Sequence, residues 1–387
     1  MSPDDPEDRP AAHFNHAGAS IPPPEVVDRV IRHLRLEVEL GGYEAAEAVA
    51  DEAELVNVAL AALVGAGPDE VVAVESATRG WEQVLWAIAL SHNWGSGDRV
   101  VVDRFAYASS WATLQRLRDA LGVDVAVAPS GPEGAVDASE IVGVTDDRTR
   151  LVLVTHVPTH TGTVADVAAV GAALAGRDVV YALDAAQSLG QLPIDVEAIG
   201  CQVAFAPGRK FLRAPRGTGV LYVRRALAEG LAPLSADQTS TTELSLTTIT
   251  HRPGAGRFEQ FEHSLALRLG MAEAARFALA VGPAEIASAV RARTEQVASL
   301  VAATPGLDLL APLPLSGIVT FTHGRLAPEA VRERLTIAGV RAWVSSLGGS
   351  PLDQADRLTR PAVRLSPHYV TTDGEVELLD RALRDLI

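Results

Sequence analysis

YALDAAQSLGQLPIDVEAIGCQVAFAPGRKFLRAPRGTGVLYV, residues 181–223, contains Lys210, and no other lysine occurs in the 387 residues of the chain. Arginine fills every other basic position. An arginine stays protonated and cannot form an imine, whereas a lysine amine loses its proton when buried and can form one. A surface lysine left over in an arginine-biased chain is the bland reading, and the flanking residues speak against it. Tyr181-Ala182-Leu183 reads as a buried strand with Asp184 at its C-terminal end. Val203-Ala204-Phe205-Ala206 reads as the next strand and delivers Gly208-Arg209-Lys210 at its end. Open α/β sheets gather ligands at these carboxyl edges.

An acid at a strand end suits a pyridine nitrogen, which it keeps protonated so that a pyridoxal phosphate ring can act as an electron sink. Capping the AAQ segment that follows is the other reading of Asp184. Gln187 is placed to hydrogen-bond the cofactor, and is otherwise an exposed helix glutamine. Gly208 allows close backbone approach. Arg209 offers a planar donor fork for phosphate.

With these residues in view, the stretch resembles the lysine segment of the class V aminotransferase family, the fold-type I pyridoxal phosphate enzymes that include cysteine desulfurases, isopenicillin N epimerase, kynureninase and the ergothioneine-pathway C–S lyase. The similarity runs along nearly the whole chain. It implies an α/β fold with a large domain built on a mostly parallel, seven-stranded-type sheet between helices, and a smaller C-terminal α+β domain. It also implies pyridoxal 5′-phosphate as cofactor and a homodimer with active sites at the interface.

Composition agrees with a large cytoplasmic enzyme. An apolar share of 48% supplies a sizeable core, and a net charge of −16 argues against nucleic acid or anionic membrane as partner. The one cysteine, Cys201, excludes an intrachain disulfide. No run of about 18 apolar residues is present. Residues 1–12 are acidic, proline-rich and expected to be disordered. Residues 13–264 are expected to form the large cofactor-binding domain and 265–387 the small one, with 13–24 a candidate to join the latter.

Taken in order, Asn15–Ser20 matches the family's substrate entrance, with His16 a candidate substrate contact or an ordinary loop histidine. Gly41-Gly42-Tyr43-Glu44 interrupts two helical stretches; the family uses this region near the active site of the neighbouring subunit, so the resemblance makes Tyr43 a second candidate substrate contact. Val71–Val74 is a strand; Glu75–Gly80 precedes a helix expected near Trp81, and such a turn presents free N–H groups to a phosphate. The resemblance assigns Ala77 and Thr78 to that contact. Tyr107 aligns with the family's ring-stacking residue, Phe105 being the competing choice. Thr159 stands where the family has an asparagine for the phenolate oxygen, which leaves that contact open. Thr239–His263 is polar and turn-rich. Arg364, in Val363-Arg364-Leu365-Ser366-Pro367-His368-Tyr369, matches the family's carboxylate-binding arginine.

Ser345–Pro351 lies where desulfurases carry a mobile cysteine and has none. On that ground the sequence points away from cysteine desulfurase and toward a β-eliminating C–S lyase of a cysteine conjugate or its sulfoxide. An amino-acid epimerase or aminotransferase is the alternative. An inactive cofactor-binding partner protein is the non-enzymatic one, which intact Lys210, Asp184 and Arg364 oppose.

Overall fold

Short apolar runs bounded by turn residues become the strands. They are β1 (Ala12–His13), β2 (Val71–Val74), β3 (Arg99–Asp103), β4 (Asp124–Ala128), β5 (Thr149–Thr155), β6 (Val180–Asp184), β7 (Val203–Pro207), β8 (Gly219–Val223), β9 (Thr241–Leu244), β10 (Ile249–His251), β11 (Leu307–Leu309), β12 (Val319–His323), β13 (Val340–Arg341), β14 (Trp343–Ser345) and β15 (Ala362–Leu365). The computed structural model describes residues 12–131, 135–311, 315–346, 349–355 and 360–386.

Seven strands form one sheet in the order β2-β8-β7-β6-β5-β3-β4. β3, β4, β5, β6 and β7 run parallel, and β8 is antiparallel to both β7 and β2. β7 and β8 within the sheet, and β2 at its edge, are buried on both faces, which is why all three read as unbroken apolar runs. Parallel pairing in register, with Thr155 beside Asp184 and Asp184 beside Phe205, brings the carboxyl ends of β5, β6 and β7 to one edge.

One face of the sheet is covered by helices that include Pro24–Leu40, Ala50–Val64, Val167–Leu174 and Leu265–Val281. The other is covered by Ala77–Ser91 and Ala108–Leu121. A second, antiparallel sheet of order β11-β12-β15-β14 makes the smaller C-terminal unit. Helices Pro328–Ile337 and Asp373–Arg384 pack on it; the last is started by a capping box between Thr372 and Glu375.

Four local expectations change. The helix expected near Trp81 starts at Ala77, because the Ser76 side chain accepts from Arg79 N and caps it. Ala12, placed with the disordered tail, pairs with Val340 in a two-stranded parallel ladder, and Phe14 is buried in the C-terminal core; residues 1–11 lie outside the described residues. Leu265–Val281, assigned by its Ala-rich pattern to the small domain, packs in the core of the large sheet. The changeover falls within helix Pro283–Ala303, where Ile286 and Val290 join one core and Val297, Ala298 and Val301 the other. The polar segment after Thr239 contains the hairpin β9–β10. No helix among the described residues is long and apolar enough to cross a membrane.

Candidate active site

Lys210 follows β7 and Asp184 ends β6, so adjacent parallel strands deliver both to the same sheet edge. Both side chains are buried. Burial drives the Lys210 ammonium down to about 7; Asp184 works against that shift, while Arg209 and Arg364 add to it. The same burial raises the Asp184 carboxyl, which Ala186 N–H and the charge of Lys210 hold down in part. Near pH 7 the Lys210 side chain is thus divided between ammonium and neutral amine.

Around Lys210 opens a cavity of about 470 Å³. Tyr107, at the start of helix Ala108–Leu121, presents its ring 5.7 Å from Lys210 Nζ. Gln187 Nε2 donates to Thr159 Oγ1 at 2.8 Å and to Ala17 O at 3.2 Å. Arg364, carried by β15 of the C-terminal sheet, donates through Nη1 to Thr159 Oγ1 at 2.6 Å. Burial lowers the Arg364 guanidinium to about 10, so it remains a cation. Arg209 donates to the Gly18 carbonyl, and its pKa is lowered, first by burial.

The expected set therefore divides. Lys210, Gln187, Arg209, Tyr107, Thr159 and Arg364 line one cavity, with Asp184 buried at its edge. Ala77 and Thr78 lie beyond the lining, in the first turn of their helix, where β8 makes its closest approach: a Cβ on Gly219 would sit 2.9 Å from Ala77 N. One substrate candidate is not brought in: His16 is buried outside the cavity lining, its Nδ1 on Ser20 Oγ at 3.0 Å and its ring 4.7 Å from that of His368. Tyr43, expected at the neighbouring subunit's site, is outside this cavity's lining and 78% exposed on this chain, its ring 6.3 Å from that of Phe261.

Apart from Arg364, sequence reasoning missed what the C-terminal unit contributes to the cavity. Trp343, Ser345, Ser346 and Gly349 line the cavity, as does Arg216. Ser345 is held by His160 Nδ1 at 2.9 Å, and Arg104 pairs with Asp353 at 3.0 Å inside the protein. Asp103, at the end of β3, accepts from Phe105 N and Thr155 N; burial raises its carboxyl to about 7. The apolar run ending in Asp103 was its available signal.

The residues fit pyridoxal phosphate. The charged residues lining the cavity beside the Lys210 amine are Arg209, Arg216 and Arg364, all cationic. Gln187 Oε1 and Arg364 Nε are buried without a partner among the described residues, which suits an oriented polar guest. Cys201 lies away from the site in the core of the large sheet, its thiol pushed up to about 12 by burial.

A two-unit α/β fold with a buried lysine of lowered pKa and an acid on neighbouring strand ends defines a pyridoxal phosphate-dependent enzyme. The chain belongs to the class-V aminotransferase family, whose model matches residues 12–379. A probable cysteine desulfurase of Methanothermobacter thermautotrophicus is 29% identical over 331 residues, covering 84% of this chain and 82% of that protein. A cysteine desulfurase of Pectobacterium atrosepticum is 26% identical, covering 82% and 79%. Among solved structures, the apo cysteine desulfurase of Thermococcus onnurineus superposes with a TM-score of 0.87 at 21% identity, over 100% of this chain and 99% of that one. A cystine C–S lyase in complex with its reaction product cysteine persulfide gives 0.86 at 23% identity, over 96% and 97%.

These relatives overturn the argument against cysteine desulfurase, and with it the assignment to cysteine conjugates and sulfoxides. That argument rested on a cysteine missing from the 345–351 loop. A thiol that accepts sulfur can come from outside the chain, so its absence within the chain does not bear on which bond is broken.

Proposed function

We propose that this protein breaks the carbon–sulfur bond of cysteine with pyridoxal phosphate as cofactor. The observation that carries the reading is Lys210, an amine brought to about 7 by burial between Asp184 and Arg364. The names of the relatives supply the substrate class.

In this reading Lys210 would hold the cofactor through its amine, with Asp184 toward its ring nitrogen, Tyr107 beside its ring, and Gln187 and Thr159 toward its ring oxygen. Arg209 would hold the phosphate from within the cavity, with the helix turn of Ala77 and Thr78, beyond the lining, as the contact the resemblance implies. The bound cofactor supplies an electron sink for the pair left on the substrate α-carbon. Arg364 takes the α-carboxylate in a bidentate pair, orienting the Cα–H toward Lys210. Lys210 Nζ, with a midpoint brought to about 7, removes the α-proton in its neutral form and retains it for later return. Without an added thiol, the Cβ–S bond breaks with its electron pair going to sulfur, which leaves to solvent as sulfide while the three-carbon remainder is hydrolysed to pyruvate and ammonia. Where a thiol from outside the chain attacks the sulfur, the pair instead stays on Cβ, which is protonated to give alanine as the thiol becomes a persulfide; Cys201 is buried and takes no part. Sulfur release from cysteine by cofactor-loaded protein, abolished in Lys210→Ala, tests the reading.

The reading includes a homodimer. Val27, Ile31, Leu34 and Val38 form an exposed apolar stripe on one helix, and Tyr43, Leu246 and Phe261 are exposed apolar side chains elsewhere on the surface. A monomeric mass at working concentration contradicts it.

A further inference from the structure

Gln191 takes no part in the chemistry described above, yet it is wholly buried in the contact between the two units. Its Nε2 donates to the Gln187 carbonyl at 2.5 Å, and its Oε1 accepts from Gly317 N at 2.7 Å. Gln187 lines the cofactor cavity. Gly317 leads into β12, which pairs with β15 so that Thr320 lies beside Arg364. One side chain therefore links the segment of Gln187 to the strand pair that carries Arg364.

The surrounding packing leaves little slack. A Cβ on Gly317 would sit 2.7 Å from the Phe211 ring and 3.0 Å from Gln191 Oε1. Phe211, directly after Lys210, stacks on His368 at 5.6 Å, and its carbonyl meets His368 Nε2 at 3.0 Å. Ser316 N donates to Gly162 O on the far side of the same seam. A buried amide that spends its donor on one unit and its acceptor on the other fixes their spacing, because no other orientation satisfies both groups.

We propose that Gln191 is a positioning residue that sets the distance between the cofactor-bearing residues Lys210 and Gln187 and the carboxylate-binding Arg364. The inference rests on the reading of Arg364 as carboxylate ligand, and goes beyond it by assigning the spacing to one side chain. Gln191→Met keeps the length and loses both hydrogen bonds. Gln191→Glu keeps the acceptor for Gly317 and, when ionised, loses the donor.

The test is binding of glycine, followed by the absorbance of pyridoxal phosphate-loaded protein, in wild type, in each variant and in the Arg364→Lys background. Unfolding midpoints are recorded alongside. Both Gln191 variants are expected to retain cofactor and to bind glycine at least fivefold more weakly, and Gln191→Met to change affinity less than twofold once Arg364 is lysine. A lowered unfolding midpoint with unchanged glycine affinity makes Gln191 merely structural and overturns the proposal. So does an equal loss of affinity in both backgrounds. Arg364→Lys alone leaving glycine binding intact would instead count against the carboxylate role of Arg364, so the two failures are separate.

Discussion

Arg364 reaches Thr159 across the two units, donating through Nη1 to the Thr159 hydroxyl at 2.6 Å. The same oxygen accepts from Gln187 Nε2 at 2.8 Å. With both lone pairs taken, the Thr159 O–H is free to donate toward the cavity. Thr159→Val keeps the shape and removes this junction. A hydrogen bond to a charged group contributes about 2 kcal/mol, so kcat/KM should fall roughly 30-fold while cofactor is retained. Steady-state kinetics with cofactor occupancy measured in parallel check this; an unchanged kcat/KM removes Thr159 from the site.

Reloading of cofactor should depend on pH through Lys210. Only the neutral amine attacks an aldehyde, and burial sets its midpoint near 7 rather than the ordinary 10.5. The rate of pyridoxal phosphate uptake by cofactor-free protein should rise through pH 7 and level off above it. The unfolded chain holds that proton up to about 10.4. Between these values the unfolded state binds more protons, so the Lys210 contribution to stability of cofactor-free protein increases with pH. Stopped-flow absorbance and unfolding of Lys210→Met beside wild type measure both; uptake still climbing steeply at pH 9 contradicts the burial argument.

The ion pair of Arg104 and Asp353 carries side-chain exposures of 6% and 4%, so both charges are held away from water. Asp353→Ala should cost about 3 kcal/mol in denaturant unfolding. Gly349 packs against the Tyr107 ring a few residues before Asp353, so the same variant should also alter the Tyr107 wall of the cavity. A loss well under 1 kcal/mol would show the pair to be solvated.

Gly190 has φ +89°, and a Cβ there would lie 2.3 Å from Leu212 N and 2.4 Å from Phe211 C. Gly190→Ala should destabilise by about 3 kcal/mol, combining left-handed backbone cost with overpacking. Because the clash falls on the two residues after Lys210, cofactor affinity should drop with stability. Normal cofactor affinity in a stably folded variant contradicts that coupling.

What could be read in advance follows from how local each signal is. Lys210, Asp184 and Gln187 sit in one strand–turn–strand pattern, and the parallel sheet follows from buried runs separated by crossovers. Arg364 was reached through its own short motif. By contrast, Arg104 and Asp353 are 249 residues apart and Gln191 and Gly317 are 126 apart, so no local pattern pairs them. His16 was reached through the match of Asn15–Ser20 to a substrate entrance, but its side-chain direction is set by Ser20 and by packing on His368, which a local motif does not encode. Leu265–Val281 has an Ala-rich helical pattern that fits either unit; only its fit against Pro24–Leu40 and Ala50–Val64 decides. The hairpin β9–β10 escaped notice because its strands are short and mostly exposed, leaving no apolar alternation to read.

The central claim concerns the bond broken in cysteine. Cofactor-loaded protein should be given cysteine with and without an added small thiol, and sulfide, persulfide, alanine and pyruvate measured together. The account predicts release of sulfur with an equivalent three-carbon product, lost in Lys210→Ala. Cysteine consumed with its sulfur retained in a three-carbon keto acid or in the opposite enantiomer would contradict it.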